Sequence, residues 1–188
     1  MASLPPAIAA LILTQAHAGL FQKGVHGSIG LVRVARDPTL DMYGWDAVGR
    51  ELRRRGLVDR PGTFLFTSAW YYSGQLAFAL REAPTTPILC YHGWDSRNFA
   101  FWSRPEDWVG RDGILVAIND HENEPHCYEK WFRRIEPIGS FEVTRAGSPV
   151  RKIRLFRCIE QTRPFPFDGS EIVQVHHQMA ADGTKRHN

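Results

Sequence analysis

The stretch FLFTSAWYYSGQLAFAL, residues 64–80, decides the fold class. It begins with a continuous apolar run shortly after Pro61 and Gly62, which is the pattern of a short buried strand. From Trp70 onward it continues with apolar residues at helical spacing and predicts a helix. A strand that leads directly into a helix is the building unit of α/β proteins, so the stretch predicts membership of that class.

The segments that follow extend this unit into a sheet. TPILCYH (86–92) and DGILVAIND (112–120) are short apolar runs, and each predicts another buried strand. IGSFEVTRAGSPVRKIRLFRCI (138–159) predicts a hairpin that turns at residues 146–148. Together these patterns predict an α/β fold, with a mainly parallel sheet flanked by helices and an antiparallel C-terminal hairpin at its edge.

Two more helices are predicted, one before the first strand and one between the third strand and the hairpin. DPTLDMYGWDAVGRELRRRG (37–56) contains apolar positions at helical spacing, with Asp41 or Asp46 as the expected cap and Gly56 as the stop. EPHCYEKWFRRI (124–135) predicts a helix that begins at its Glu-Pro pair.

Composition limits the classes of protein that need to be considered. The chain has 188 residues, 43% of them hydrophobic and 23% charged, which suits one packed domain with tails. The net charge of +3 is too small to indicate nucleic-acid binding. Cys90, Cys127 and Cys158 lack zinc-finger spacing, and we expect Cys90 and Cys158 to be buried, inert thiols. The arginines at 53–55 suit the negative end of a helix better than a phosphate site.

The first 22 residues contain no charged side chain. A helix from Ala7 to Phe21 would be about 22 Å long, and a bilayer core is about 30 Å thick. Three interpretations remain open: the end of a longer membrane helix, a signal peptide with the small residues AHA at its cleavage site, and a surface helix with an apolar face. The predicted domains are 1–23, an apolar remnant of a transmembrane helix, 24–165, a soluble α/β domain, and 166–188, a flexible tail.

Polar residues with catalytic chemistry follow the predicted strands. In α/β sheets ligands bind beyond the carboxyl ends of the strands, and the candidates there are Ser68, His92, Asp95, Asp120, His121 and Glu122. A hydrolase would pair Ser68 or Cys90 with His92 or His121. However, no GxSxG elbow surrounds Ser68.

Metal and nucleotide chemistry have weaker sequence support. HENEPH (121–126) offers imidazole and carboxylate ligands, but Pro125 interrupts it and no HExxH helix is present. TSAWYYSG (67–74) has no glycine-rich turn before the predicted helix, as a phosphate loop would need. We therefore predict no cofactor and no metal site.

Three segments together resemble a known family. DPTLDMYGWDAVGREL (37–52), FLFTSAWYYSGQLAFAL (64–80) and PILCYHGWDSRNFAFW (87–102) follow one another in the order seen in certain bacterial membrane glycosyltransferases. The chain resembles the soluble C-terminal region of the dolichyl-phosphate-mannose protein mannosyltransferase class, which includes relatives of the aminoarabinose lipid A transferases. The resemblance extends over residues 15–160.

This resemblance implies a location and a class of partner. Members of the family are multi-pass membrane enzymes that transfer a sugar from a polyprenyl-phosphate donor, and their catalytic acidic residues lie in an early extracytoplasmic loop. No position of this chain matches that loop, so no catalytic residue is transferred to it. The chain is expected to be a C-terminal domain or fragment at the extracytoplasmic side of a membrane, not catalytic alone. Its expected partners are a membrane lipid or polyprenyl-phosphate sugar and a membrane protein, and no nucleic acid.

A crevice beside the opening stretch is the predicted substrate site. Residues 71 and 75 are four apart and share one helix face, which the loop after residue 92 would approach. Aromatic faces, amides and guanidinium groups suit sugar hydroxyls and phosphate. The predicted lining residues are Tyr71, Tyr72, Gln75, Arg97, Asn98 and Trp102. Alternatively, Tyr71 and Trp102 are simply packing aromatics.

Two other functions stay open beside the glycosyltransferase-related one. The first is a standalone soluble hydrolase or transferase that uses His92, Asp120 and His121. The second is a protein-binding module.

Overall fold

Five strands form one mixed sheet in the order β2-β1-β3-β5-β4 in the computed structural model of the chain. The structure describes residues 6–21, 37–83, 85–92, 95–118 and 125–166. The helices are α1 (Pro6–Ala18), α2 (Trp45–Arg54), α3 (Trp70–Ala79) and α4 (Phe99–Trp102). The strands are β1 (Thr63–Thr67), β2 (Ile88–Cys90), β3 (Asp112–Ile118), β4 (Phe132–Arg145) and β5 (Ser148–Gln161).

The strand directions confirm the predicted α/β fold with its antiparallel edge. β1 pairs in parallel with both β2 and β3, so these three strands end at one side of the sheet. β5 runs antiparallel to β3, with Ile118 opposite Ile153 and Gly113 opposite Cys158. The turn between β4 and β5 therefore lies at the carboxyl ends of the parallel strands, which is the end where α/β sheets bind ligands.

Alternating side chains fill a separate core on each face of the sheet. On one face, Leu65 and Ile114 pack with residues of α2 and α3 such as Leu52 and Leu76. The opposite face carries an aromatic cluster, whose buried rings are Phe64, Phe66, Tyr91, Trp108, Tyr128, Trp131, Phe132, Phe156 and Phe165. Since both faces are covered, the parallel strands consist of nearly continuous apolar residues.

The start of α2 differs from the prediction. Gly44 occupies its N-cap position with a left-handed φ of 79°, and no side chain caps the helix, so the expected capping by Asp41 or Asp46 is wrong. The predicted stop is confirmed, because Gly56 follows the helix with a φ of 63°.

The predicted helix over 124–135 is wrong. Within it, Pro125–Tyr128 forms one 3-10 turn, and β4 begins at Phe132. Trp131 and Phe132 are both buried in the aromatic cluster, and β4 pairs with β5 from its first residue. Sheet pairing and aromatic burial thus override the helical spacing, and the hairpin is longer than predicted. Its predicted turn is confirmed at residues 146–147.

The N-terminal apolar segment contains the helix α1, which is 13 residues long. Within the described ranges, no helix combines the length and the apolar character needed to cross a membrane. Gln15 is buried, whereas Leu11 and Leu13 are 45% and 68% exposed. The predicted tail falls almost wholly outside the described residues, as do residues 1–5 and 22–36.

Candidate functional site

A buried hydroxyl network fixes the corner between β1 and α3. Thr67 and Ser73 are fully buried. The Ser73 Oγ lies 2.8 Å from the Thr67 Oγ1 and donates to the carbonyl of Leu89, also at 2.8 Å. The hydroxyls of this corner therefore join β1, α3 and β2, and they face the interior of the protein.

The outer surface of the same corner carries an arginine and two aromatic rings. The guanidinium of Arg97 lies 4.8 Å from the centre of the Trp70 ring, in cation–π geometry. The Arg97 Nε donates to Asp95 Oδ1 at 2.6 Å. Tyr71 packs edge-on against Trp70 and is 40% exposed. The loop after β2 thus approaches α3 as predicted, but through Trp70, which the sequence analysis did not include among the site residues.

The other predicted crevice residues lie in different environments. Tyr72 is buried and packs against Trp45 at 5.8 Å between ring centres, so it belongs to the core. The Gln75 Nε2 donates to the sulfur of Met42 at 2.9 Å. Asn98 and Trp102 are exposed. Tyr71 and Arg97 therefore share one surface with Trp70, and the assignment of these residues to a substrate site stays a prediction.

Asp37, the first residue of the DPT segment, is the centre of a buried polar network. Its carboxylate accepts hydrogen bonds from Gln15 Nε2 at 2.6 Å, from the backbone and hydroxyl of Thr39, and from Arg145 Nη1 at 2.9 Å. Burial opposes ionisation of this carboxyl, but the bonds from Thr39 and the charge of Arg145 outweigh it and hold its pKa below the ordinary value. The guanidinium of Arg145 also lies 4.3 Å from the centre of the Tyr43 ring. This network attaches α1 to the end of the β4–β5 hairpin.

Exposed apolar side chains concentrate on α1 and at the carboxyl ends of the parallel strands. We call this set the apolar end. It consists of Ile8, Leu11, Ile12, Leu13, Met42, Trp70, Tyr71, Phe101 and Trp102. Phe101, Met42 and Trp102 are the most exposed, at 85%, 71% and 69%. Two exposed apolar side chains lie elsewhere, Phe78 on the second half of α3 and Val109 before β3.

The arrangement around β2 disfavours a cysteine nucleophile. Burial raises the pKa of the Cys90 thiol to about 12, so the thiolate is scarce at neutral pH. The Nδ1 of His92 accepts the backbone N–H of Asp95 at 3.0 Å. The side chain of Ser68 faces the hydroxyl of the buried Tyr128, which donates to the carbonyl of Tyr91.

The other candidate residues for catalysis or metal binding follow β3. Asp120, His121, Glu122 and Glu124 lie outside the described residues. Within the described part of the chain, no group of three or more His, Cys, Asp or Glu residues could hold a metal ion.

Comparison with known proteins adds no relative to these observations. The chain matches no protein-family model, no curated protein and no solved structure.

Proposed function

We propose that this chain is a soluble domain of a membrane glycosyltransferase system that uses a polyprenyl-phosphate sugar donor. In this proposal the domain lies at the extracytoplasmic surface of the membrane and contributes to an acceptor or donor site without catalysing the transfer alone. The resemblance of residues 15–160 to the C-terminal region of such enzymes supports the proposal. The membrane is also the environment in which the exposed side chains of α1 would be stabilised.

The observation that carries the proposal is the apolar end. Exposed apolar side chains scattered singly are normal, whereas contiguous ones mark interaction surfaces. Trp and Tyr are enriched where proteins meet the membrane interface, because their rings have an apolar body and a polar tip. The Gln15–Asp37–Arg145 network holds α1 at the end of the sheet that also carries Trp70 and Trp102. A membrane that contacts this end of the sheet could therefore bury the exposed side chains of α1 together with Trp70 and Trp102.

The surface around Trp70 would then lie next to the bound lipid-linked sugar. Flat aromatic faces stack on sugar rings, and guanidinium groups bind phosphate oxygens. Tyr71, Arg97, Asn98 and Trp102 lie on α3 or on the segment that follows β2, where they could provide both kinds of contact. Tyr72 would act only by supporting Tyr71, whose ring centre is 4.2 Å away.

Binding to lipid vesicles tests the location. The full chain is expected to float with vesicles of phosphatidylethanolamine and phosphatidylglycerol. The double variant Ile12→Ser, Leu13→Ser is expected to weaken binding at least about tenfold, since burying one such side chain is worth about 1.5–3 kcal/mol. Phe78→Ser is the matched control, because it removes an exposed apolar side chain outside the apolar end. Equal weakening by the control, or no flotation of the full chain, would contradict the proposal.

An activity assay separates the proposal from the soluble-enzyme alternative. Incubation of the purified chain with polyprenyl-phosphate sugars and with simple esters is expected to give no turnover. Turnover that disappears in His92→Ala or His121→Ala would instead favour the soluble hydrolase or transferase.

A further inference from the structure

A groove with a volume of about 420 Å³ opens at the other end of the sheet from the apolar end. Its walls carry four arginines, Arg54, Arg55, Arg60 and Arg157. Arg54 and Arg55 end α2, Arg60 precedes β1, and Arg157 lies on β5 opposite Ile114, near the start of β3. The groove therefore lies at the amino ends of the parallel strands, on the face that α2 covers.

Carboxylates neutralise only part of this positive charge. Glu51 accepts hydrogen bonds from Arg54 and Arg55, and Asp112 pairs with Arg157 at 3.1 Å. Four guanidinium groups against two carboxylates leave an excess of two positive charges. Among the described residues no carboxylate pairs with Arg60, whose side chain is exposed at the rim. The groove thus offers guanidinium donors to an incoming anion.

The lower part of the groove is apolar. Leu57 and Ile138 line it, with the fully buried Ile114 beneath them. Arg55 is less available to a ligand than Arg60 is. Its Nη2 donates to the carbonyl of Ser140, and its guanidinium lies 5.4 Å from the Phe141 ring centre. The volume lies within the range of about 300–1,000 Å³ that is usual for small-molecule sites.

We propose that this groove binds a small phosphate-bearing ligand with an apolar portion. Guanidinium groups match phosphate oxygens in bidentate geometry, and the excess positive charge of the groove, on Arg60 and on the Arg54–Arg55 pair that shares Glu51, favours a phosphate anion. The phosphate would contact Arg60 and the remaining donors of Arg157, whose Nη2 donates to Asp112, and the apolar portion would pack on Leu57 and Ile138. Because the groove lies at the opposite end of the sheet from the apolar end, a water-soluble ligand fits it better than a lipid embedded in the membrane.

Isothermal titration of the full chain with phenyl phosphate tests this site. Phenyl phosphate is expected to bind saturably and more tightly than inorganic phosphate, and benzyl alcohol is expected not to bind. The double variant Arg60→Gln, Arg157→Gln is expected to weaken phenyl phosphate binding at least about tenfold, which corresponds to about 1.4 kcal/mol. Ile138→Ser is expected to weaken phenyl phosphate binding but not that of inorganic phosphate.

The control is Arg104→Gln, which removes an exposed, ion-paired arginine from the segment between α4 and β3. This variant is expected to bind phenyl phosphate like the unaltered chain. No saturable binding, equal weakening by the control, or equal affinity for phenyl phosphate and inorganic phosphate would overturn the proposal. Vesicle binding through the apolar end does not depend on this groove, so either proposal can fail without the other.

Discussion

The guanidinium of Arg145 lies 2.9 Å from the carboxylate of Asp37, and neither side chain is more than 1% exposed. The two residues are 108 positions apart in the chain. Their contact joins the turn before α2 to the last residue of β4. Gln15 bonds to the same carboxylate, so the pair also fixes the position of α1.

Breaking this pair is expected to destabilise the domain strongly. Asp37→Asn and Arg145→Ala should each lower the free energy of unfolding by about 3–5 kcal/mol, because each leaves a buried group without its charged partner. Urea unfolding followed by tryptophan fluorescence measures this change. Arg133→Ala is the control, since Arg133 and Glu160 pair on the surface and such pairs contribute about 0–1 kcal/mol. Similar losses in all three variants would contradict a special role for the buried pair.

Stability is expected to fall in acid, partly through Asp37. The pKa of its carboxyl is lower in the folded than in the unfolded chain, so the unfolded chain takes up the proton first as the pH falls. The resulting stabilisation is complete above the unfolded pKa, about 4, and is lost as the pH falls through the folded value. Unfolding in urea at a series of pH values measures this dependence. The loss of stability below pH 4 should be smaller in Asp37→Asn, and an unchanged slope would contradict the assignment.

The central strands and helices could be predicted because their sequence patterns agree with their surroundings. The apolar run of β1, the helical spacing of α3 and the glycine after α2 are local signals, and the structure confirms all three. The segment before β4 could not be predicted in this way. Trp131 and Phe132 fit a helical pattern, but pairing with β5 and packing in the aromatic cluster decide their conformation.

The candidate site could be predicted only in its location. The corner after β1 does lie at the carboxyl ends of the parallel strands, as the order of strands and helices implies. Which aromatic ring faces outward depends on the rotation of α3 about its own axis. Packing against Trp45 sets that rotation, and the local sequence pattern does not predict it. As a result, Tyr72 is in the core, and Trp70 is the ring that contacts Arg97.

The three cysteines are expected to differ sharply in reactivity. Burial raises the pKa values of the Cys90 and Cys158 thiols to about 12, whereas Cys127 is only partly buried. Iodoacetamide at neutral pH should therefore modify Cys127 first in the folded chain, and all three cysteines in urea. Peptide mass spectrometry at increasing reaction times identifies the sites. Early modification of Cys90 would contradict its burial, and Cys127→Ser is the control that should remove the fast reaction.

Alanine at Gly74 is expected to stabilise the domain. Gly74 lies inside α3, and a Cβ built there has no atom within 4 Å. Glycine inside a helix has excess conformational freedom in the unfolded chain, so Gly74→Ala should raise the free energy of unfolding by about 0.4–1 kcal/mol. Urea unfolding measures the gain, and a loss of stability would mean that this face of α3 is not open.

The same substitution at Gly44 is expected to have the opposite effect. Gly44 has a φ of 79°, and a Cβ built there would overlap Cγ1 of Val143, a side chain that is itself buried in the core. Gly44→Ala therefore adds backbone strain to a steric clash between the start of α2 and β4, and should cost at least about 2 kcal/mol. Gly74→Ala, measured under the same urea conditions, is the matched control for replacing glycine with alanine. If Gly44→Ala unfolded at the same urea concentration as the unaltered chain, the close approach of Gly44 to Val143 would be wrong.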